Sequence, residues 1–349
     1  MGRAAERQGR TGVLAGRWRL IIRATAKLLL GIAALLALTA GLVVGWLLLD
    51  GQGDPDRLIE APLPDVTSAT VEPYAGAGCS ADRRCQDVIL GPAAERPVRI
   101  AVSLPRDAGG EPLPAVILAG GLRTGREALA HVPDLGRNAV ITYEYPLRPD
   151  DWRRGFLPAQ VAAVRSAALA VPRQLAAVVR WTGSQRWADR ERVSLVGVSL
   201  GALVLPAARR TAAAHGESLG PSILAYGGTD LGAILHAALA DEDPWLARLA
   251  AWLGGMGLRA LEPAAHLPHL AGAFLLINSH GDPRIPAGSV AGLHQLTPEP
   301  KEIRFLSAGH FDADDQALLE EVLALCRSWL VERGALDPRG KSAPRRRRR

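Results

Sequence analysis

Gly197-Val198-Ser199-Leu200-Gly201 spells G-x-S-x-G, the spacing of a sharp strand-to-helix turn that carries a nucleophile. Small residues two before and two after the serine let the backbone turn tightly, so that Oγ stands out above a sheet. A helix starting at Leu200 would also aim backbone N–H groups at a developing anion. The pentapeptide alone is a modest signal, since a serine in an ordinary strand–helix turn can match it. Its surroundings are more restrictive: the apolar run Val193–Val198 leads in, and an Ala/Leu-rich helical stretch, Leu200–Ala214, leads out.

A serine hydroxyl is a weak nucleophile and needs a base, usually a histidine held in one tautomer by a carboxylate. His310, in Ala308-Gly309-His310-Phe311, directly follows the last apolar strand pattern of the chain. The carboxylate is expected between serine and histidine in sequence. Asp282, in His280-Gly281-Asp282-Pro283-Arg284, fits that place, with Asp230 as the competitor. His266, His269, His280 and His294 do not follow the final strand and read as surface or supporting groups. An oxyanion would be held by the N–H of Leu200 and by one from Ala119-Gly120-Gly121-Leu122, where Gly121 is favoured. A plain Gly-Gly turn is the simpler account of that pair. Such chemistry, the transfer of an acyl group through a serine ester, needs no metal or organic cofactor.

These groups must be positioned by elements of alternating type. Strand patterns occur at Val98–Leu104, Ala115–Ala119, Ala139–Tyr145, Arg192–Val198, Ser222–Tyr226, Ala273–Ser279 and Glu302–Leu306. Helical patterns occupy Ala159–Trp181, with Pro172 inside it, Leu200–Ala214 and Ala313–Arg333. Strands alternating with helices imply an α/β fold, a mainly parallel sheet covered on both faces. Residues 231–262 form a helical insertion rich in Leu and Trp, which either caps a pocket for an apolar acyl substrate or packs on the core.

With these residues placed, the chain resembles the α/β-hydrolase superfamily over about residues 90–333. The approach W-T-G-S-Q-R-W-A-D-R-E-R-V-S-L-V-G-V-S-L-G-A, from Trp181 to Ala202, is similar to the family's run into its nucleophile. Ala264–Pro286 resembles the segment that carries the acid. The resemblance implies Ser199, Asp282 and His310 as a catalytic triad and an esterase-like activity on a carboxylic ester. Thioester cleavage, peptide cleavage and acyl transfer are open to the same triad. Ala119 stands where many members carry histidine, and Ser279 where glycine commonly precedes the acid by three.

The two ends differ from the body. Of 349 residues, 48% are apolar and 22% charged, enough for a substantial core. Residues 1–27 hold seven basic groups against Glu6 alone, and the chain ends in Arg345–Arg349. A total of +6 therefore leaves the body mildly acidic, which argues against nucleic acid as a partner. Leu28–Leu49 is uncharged and, at about 1.5 Å per residue, long enough to cross a bilayer. No A-x-A-like cleavage site follows it, so it reads as one N-terminal transmembrane helix rather than a signal peptide. The basic cluster before it places residues 1–27 in the cytoplasm and the body outside. Residues 50–89 read as a linker and irregular lead-in, and 334–349 as a disordered basic tail. Cys79 and Cys85 lie six apart on the oxidising side, either bridged or as two thiols. A silent, membrane-tethered binding module is the non-enzymatic alternative.

Overall fold

The computed structural model describes residues 53–338 apart from 77, 92–96, 108–109, 122, 133–135, 148–157 and 308, and nine isolated positions before residue 53. Met1–Asp50 and Gly51–Arg349 are separate compact units. Nearly all of residues 1–27, most of the 28–49 span, and residues 339–349 of the 334–349 tail lie outside the described residues. The positions described within the span, among them Leu30 and Leu38, are helical.

The second unit opens with helix α1 (Pro55–Glu60) and strands β1 (Ala69–Tyr74), β2 (Arg83–Leu90), β3 (Val98–Pro105) and β4 (Leu113–Ala119). Helix α2 (Gly125–Ala130), strand β5 (Ala139–Glu144), the long helix α3 (Pro158–Ser184) and strand β6 (Ala188–Val198) follow. Then come α4 (Leu200–Ala214), β7 (Ser222–Ala225), α5 (Leu231–Ala238), α6 (Pro244–Gly257) and the single turn α7 (Pro263–His266). Strand β8 (Phe274–Ser279), α8 (Ala287–Leu296), β9 (Lys301–Leu306) and α9 (Gln316–Glu332) complete it. The strands form one sheet in the order β1-β2-β3-β5-β4-β6-β7-β8-β9. The pairs from β1 to β3 and β3 with β5 are antiparallel, and all pairs beyond are parallel.

The continuous apolar runs of β4 and β6 follow from burial on both faces. In β4, Ala115, Ile117 and Ala119 face a core shared with Val171, Leu175 and Val178 of α3. Val116, one residue out of phase, belongs with Val196 and Val198 to a second core beneath Leu318, Val322 and Leu330 of α9. The period of two in a strand thus feeds two layers of helix from one sequence. Pro172 sits within α3 without ending it.

Residues 50–89 are not merely a linker and lead-in. They supply α1, with Leu58 buried against α4 and α5 residues, and two strands that lengthen the sheet. Both strands escaped the pattern reading for physical reasons. β1 is an exposed edge carrying Pro73, where alternation has nothing to report. β2 begins with a buried Arg83 whose guanidinium donates to the Ser103 Oγ and to the carbonyls of Ser103, Gly136 and Asn138. Cys79 and Cys85 form a disulfide at the foot of β2.

The tail boundary also moves. Ala335 and Leu336 are buried against the second core, and the Asp337 N–H donates to Asn138 Oδ1 at 2.8 Å while its carboxylate pairs with Arg192. The body therefore runs at least to Asp337.

Candidate active site

Ser199 joins β6 to α4 with φ 53° and ψ −114°, a left-handed conformation that costs a side-chain-bearing residue on the order of 1–3 kcal/mol. The flanking glycines make the turn possible. A Cβ on Gly201 would fall onto the Ala119 carbonyl, and one on Gly197 would lie 2.7 Å from the Gly201 carbonyl oxygen. The strain is held by the sheet and helix on either side: the Ser199 N–H donates to Ala225 O at 2.9 Å, and its carbonyl accepts from Ala202.

The structure brings the three residues drawn from distant parts of the chain into one line. Ser199 Oγ lies 2.8 Å from His310 Nε2, and His310 Nδ1 lies 2.8 Å from Asp282 Oδ2 and 3.1 Å from Oδ1. The imidazole side chain is 10% exposed and the carboxylate 1%. Asp282 Oδ1 also accepts from the N–H groups of Arg284 and Ile285, at 2.8 and 3.1 Å. Burial works against ionisation of Asp282, but the bonds from His310 and those two amides outweigh it and hold the carboxyl below its ordinary range. An ionised Asp282 favours the tautomer with the proton on Nδ1, leaving Nε2 free to accept from the serine.

Gly121 borders the hydroxyl: a Cβ built on it would lie 3.4 Å from Ser199 Cβ and 3.7 Å from Oγ. Leu200, as the first residue of α4, has no intrahelical acceptor for its N–H. Both expected oxyanion donors thus flank the nucleophile. The competing carboxylate, Asp230, lies elsewhere as the N-cap of α5, where its Oδ1 accepts from the Ala233 N–H at 3.0 Å.

The remaining histidines considered in the sequence are accounted for outside the line. His266 is buried, bonded to the Ala260 carbonyl, and kept neutral by that burial. His280 stacks on Phe305, His294 meets Asn278 Oδ1 at 2.9 Å, and His269 is exposed.

Two supporting residues were not anticipated. Tyr226, itself at φ 56° just past β7, is fully buried and sets its ring edge-on to the imidazole of His310, 5.8 Å between centroids. Burial first, and then the negative charge of Asp282, push its hydroxyl up to about 12, so it stays neutral beside the line. Ser279, where glycine was expected, donates its Oγ to the Gly309 carbonyl at 2.7 Å and so ties the histidine loop to the end of β8. Its only signal in the sequence was that departure from pattern.

A cavity of about 770 Å³ opens at Ser199, Gly121 and His310. None of the residues 231–262 lines it, so the insertion is not its cap. α5 packs instead on α4 through buried Leu231, and α6 packs on α5 with Ala247 and Ala251 buried, while Trp245, Leu246, Leu249 and Trp252 of α6 are exposed.

No family model matches the chain, and no curated protein sequence matches it. Solved structures do. An acetyl xylan esterase from Thermoanaerobacterium sp. superposes with a TM-score of 0.57 at 12% identity, over 78% of this chain and 92% of its own. A second, from Paenibacillus sp., gives 0.55 at 14%, over 79% and 92%. A puromycin-hydrolysing peptidase of Mycobacterium tuberculosis gives 0.52 at 16%, over 78% of this chain and 47% of the peptidase. The chain has the α/β-hydrolase fold. In open α/β sheets ligand groups gather beyond the carboxyl ends of the parallel strands. The residues after β4, β6, β8 and β9, namely Gly121, Ser199, Asp282 and His310, meet this expectation. At identities this low the likeness extends to architecture and does not carry a substrate.

Proposed function

We propose that this α/β-hydrolase is a serine esterase that cleaves a carboxylic ester through an acyl-enzyme on Ser199. The observation that carries the reading is the unbroken relay from Ser199 Oγ to His310 to Asp282, with both short links at 2.8 Å. In the first half-reaction Oγ attacks the carbonyl carbon while His310 Nε2 takes its proton. The oxyanion is stabilised by the N–H groups of Gly121 and Leu200, and the alcohol departs with the proton from His310. Water, activated by the same imidazole, then attacks the acyl-enzyme and releases the acid. Acetyl xylan esterases and puromycin-hydrolysing peptidases among the structural neighbours are names of acyl-transfer enzymes, which agrees with this reading.

A labelled fluorophosphonate should modify the folded protein at Ser199, and p-nitrophenyl esters should be turned over with a burst. Intact protein without label on Ser199 would favour the silent binding module. Labelling without ester turnover would shift the reading to peptide cleavage or acyl transfer.

The body is further proposed to be tethered outside the cytoplasm by Leu28–Leu49. A disulfide between Cys79 and Cys85 suits an oxidising compartment. Trp245 and Trp252 of α6 are exposed, and indole rings partition to bilayer interfaces, which suits a protein held at a membrane. Alkaline carbonate extraction should leave the full chain in the membrane pellet. Its release to the supernatant would count against the tether.

A further inference from the structure

Helix α2 has six residues and is about 9 Å long, while α9 runs about 25 Å over the same side of the sheet. The short helix cannot cover what the long one spans, and the cavity at Ser199 extends into the space it leaves. Its floor is the sheet: Val116 and Leu118 of β4, Val140 of β5, and Val196 and Val198 of β6. The strand residues stand two apart, so they share a face, and Val198 adjoins the nucleophile itself. Its roof is one stripe of α9, where Leu319, Val322, Leu323, Cys326 and Leu330 recur at intervals of three and four. From Leu319 to Leu330 that stripe is roughly 16 Å long. Polar groups share the lining: Arg123 and Asp314, an ion pair of 2.7 Å, stand with Glu127 and His131 on the α2 side and with Arg327 of α9. Burial pushes the Cys326 thiol up to about 12, so Cys326 meets the cavity as a small apolar side chain rather than as a nucleophile.

We infer that the acyl chain of the substrate lies in this groove between the sheet and α9, which makes the enzyme selective for esters of unbranched, medium-length apolar acids. The inference rests on the serine-esterase reading. The alkyl chain runs along α9 away from Ser199, the ester carbonyl sits between Oγ and the Gly121 and Leu200 amides, and the alcohol part remains outside. The Ser199 Oγ–carbonyl carbon bond forms as the ester C–O bond breaks. Water then adds to the acyl carbon as His310 takes its proton, the Oγ–carbon bond breaks, Ser199 recovers the proton from His310, and the fatty acid leaves. An acetyl group would leave nearly all of the cavity unfilled, and the 231–262 insertion plays no part in chain-length choice.

The test uses the full chain in detergent micelles. For p-nitrophenyl acetate, butyrate, octanoate and laurate, kcat/KM should rise from acetate to octanoate, by about three- to fourfold for each methylene buried. Cys326→Phe, which intrudes on the groove, should lower the octanoate-to-acetate ratio of kcat/KM by about a hundredfold. Trp252→Ala, on the exposed side of α6, should leave that ratio unchanged. A flat chain-length series in the wild type, or a ratio that follows Trp252 rather than Cys326, would overturn the assignment. Should Cys326→Phe not fold, an alkyl fluorophosphonate with a terminal diazirine decides on the wild-type protein. After it labels Ser199, photocrosslinks should map to α9, and crosslinks to Pro244–Gly257 would exclude the groove. Absence of any label on Ser199 would instead be a failure of the esterase reading.

Discussion

Replacing Ser199 with alanine should lower kcat for p-nitrophenyl butyrate on the order of 10⁶-fold, and adding His310→Ala should make it no worse. The magnitude follows from what the pair does together. Without the hydroxyl there is no acyl-enzyme, and the imidazole 2.8 Å away has no proton to take. Without the imidazole the hydroxyl keeps its proton and attacks no faster than an alcohol in water. Residues that act as one unit lose nearly everything at the first deletion, so the double variant repeats the single one. A residual rate of about 10³–10⁴ over water should persist in all three, because the Gly121 and Leu200 amides remain. The fold should survive, since alanine inherits the Ser199 backbone and its bond to Ala225. Steady-state rates and melting curves of the three variants check this. Losses that multiply, with stability intact, would mean that serine and histidine act in separate steps.

What could be read from sequence was what backbone physics makes compulsory. Gly197 and Gly201 are compulsory because any Cβ there meets main-chain atoms, so the elbow stands out in one dimension. The helix after it was placed from Leu200 to Ala214, where it is found. The parallel strands were legible because a strand buried on both faces has to be apolar throughout. Asp282 and His310 were found by their place after successive strands, which topology enforces.

What escaped depends on neighbours distant in sequence. Nothing in R-R-C-Q-D-V-I-L announces a central position for Arg83, because carbonyls of Ser103, Gly136 and Asn138 do the work of its counter-charge. Tyr226 follows a four-residue strand and carries no motif, yet its ring bounds His310. The Leu and Trp residues at 231–262 have the composition of a cap, but composition does not say which side of the sheet an insertion covers. The cavity arises from the shortness of α2, a helix without a pattern long enough to register.

Asp282→Asn should cost about 10⁴-fold in kcat, with KM little altered and the fold intact. The reason lies in which way the new amide must point. In the wild type Oδ1 accepts from the N–H groups of Arg284 and Ile285, and Oδ2 faces His310 Nδ1 at 2.8 Å. Two backbone donors require an acceptor, so the carbonyl oxygen of asparagine takes the Oδ1 place and its NH₂ turns toward Nδ1. A donor facing Nδ1 selects the tautomer protonated on Nε2, which then donates to Ser199 instead of accepting from it. The base is thus inactivated by one atom's change while the line of heavy atoms persists. Asp282→Ala lacks this enforcement and leaves the imidazole free to sample either tautomer, so asparagine should be at least as damaging as alanine. Stability should report the same carboxylate. Its pKa in the folded protein is held below the ordinary aspartate value of about 3.9. The contribution is therefore present above that value and is lost as pH falls through the folded pKa, a dependence the asparagine variant should lack. Steady-state kinetics of both variants, with melting curves from pH 7 down to acid, supply the measurement. An asparagine variant within tenfold of wild type would show that Asp282 does not set the tautomer of His310.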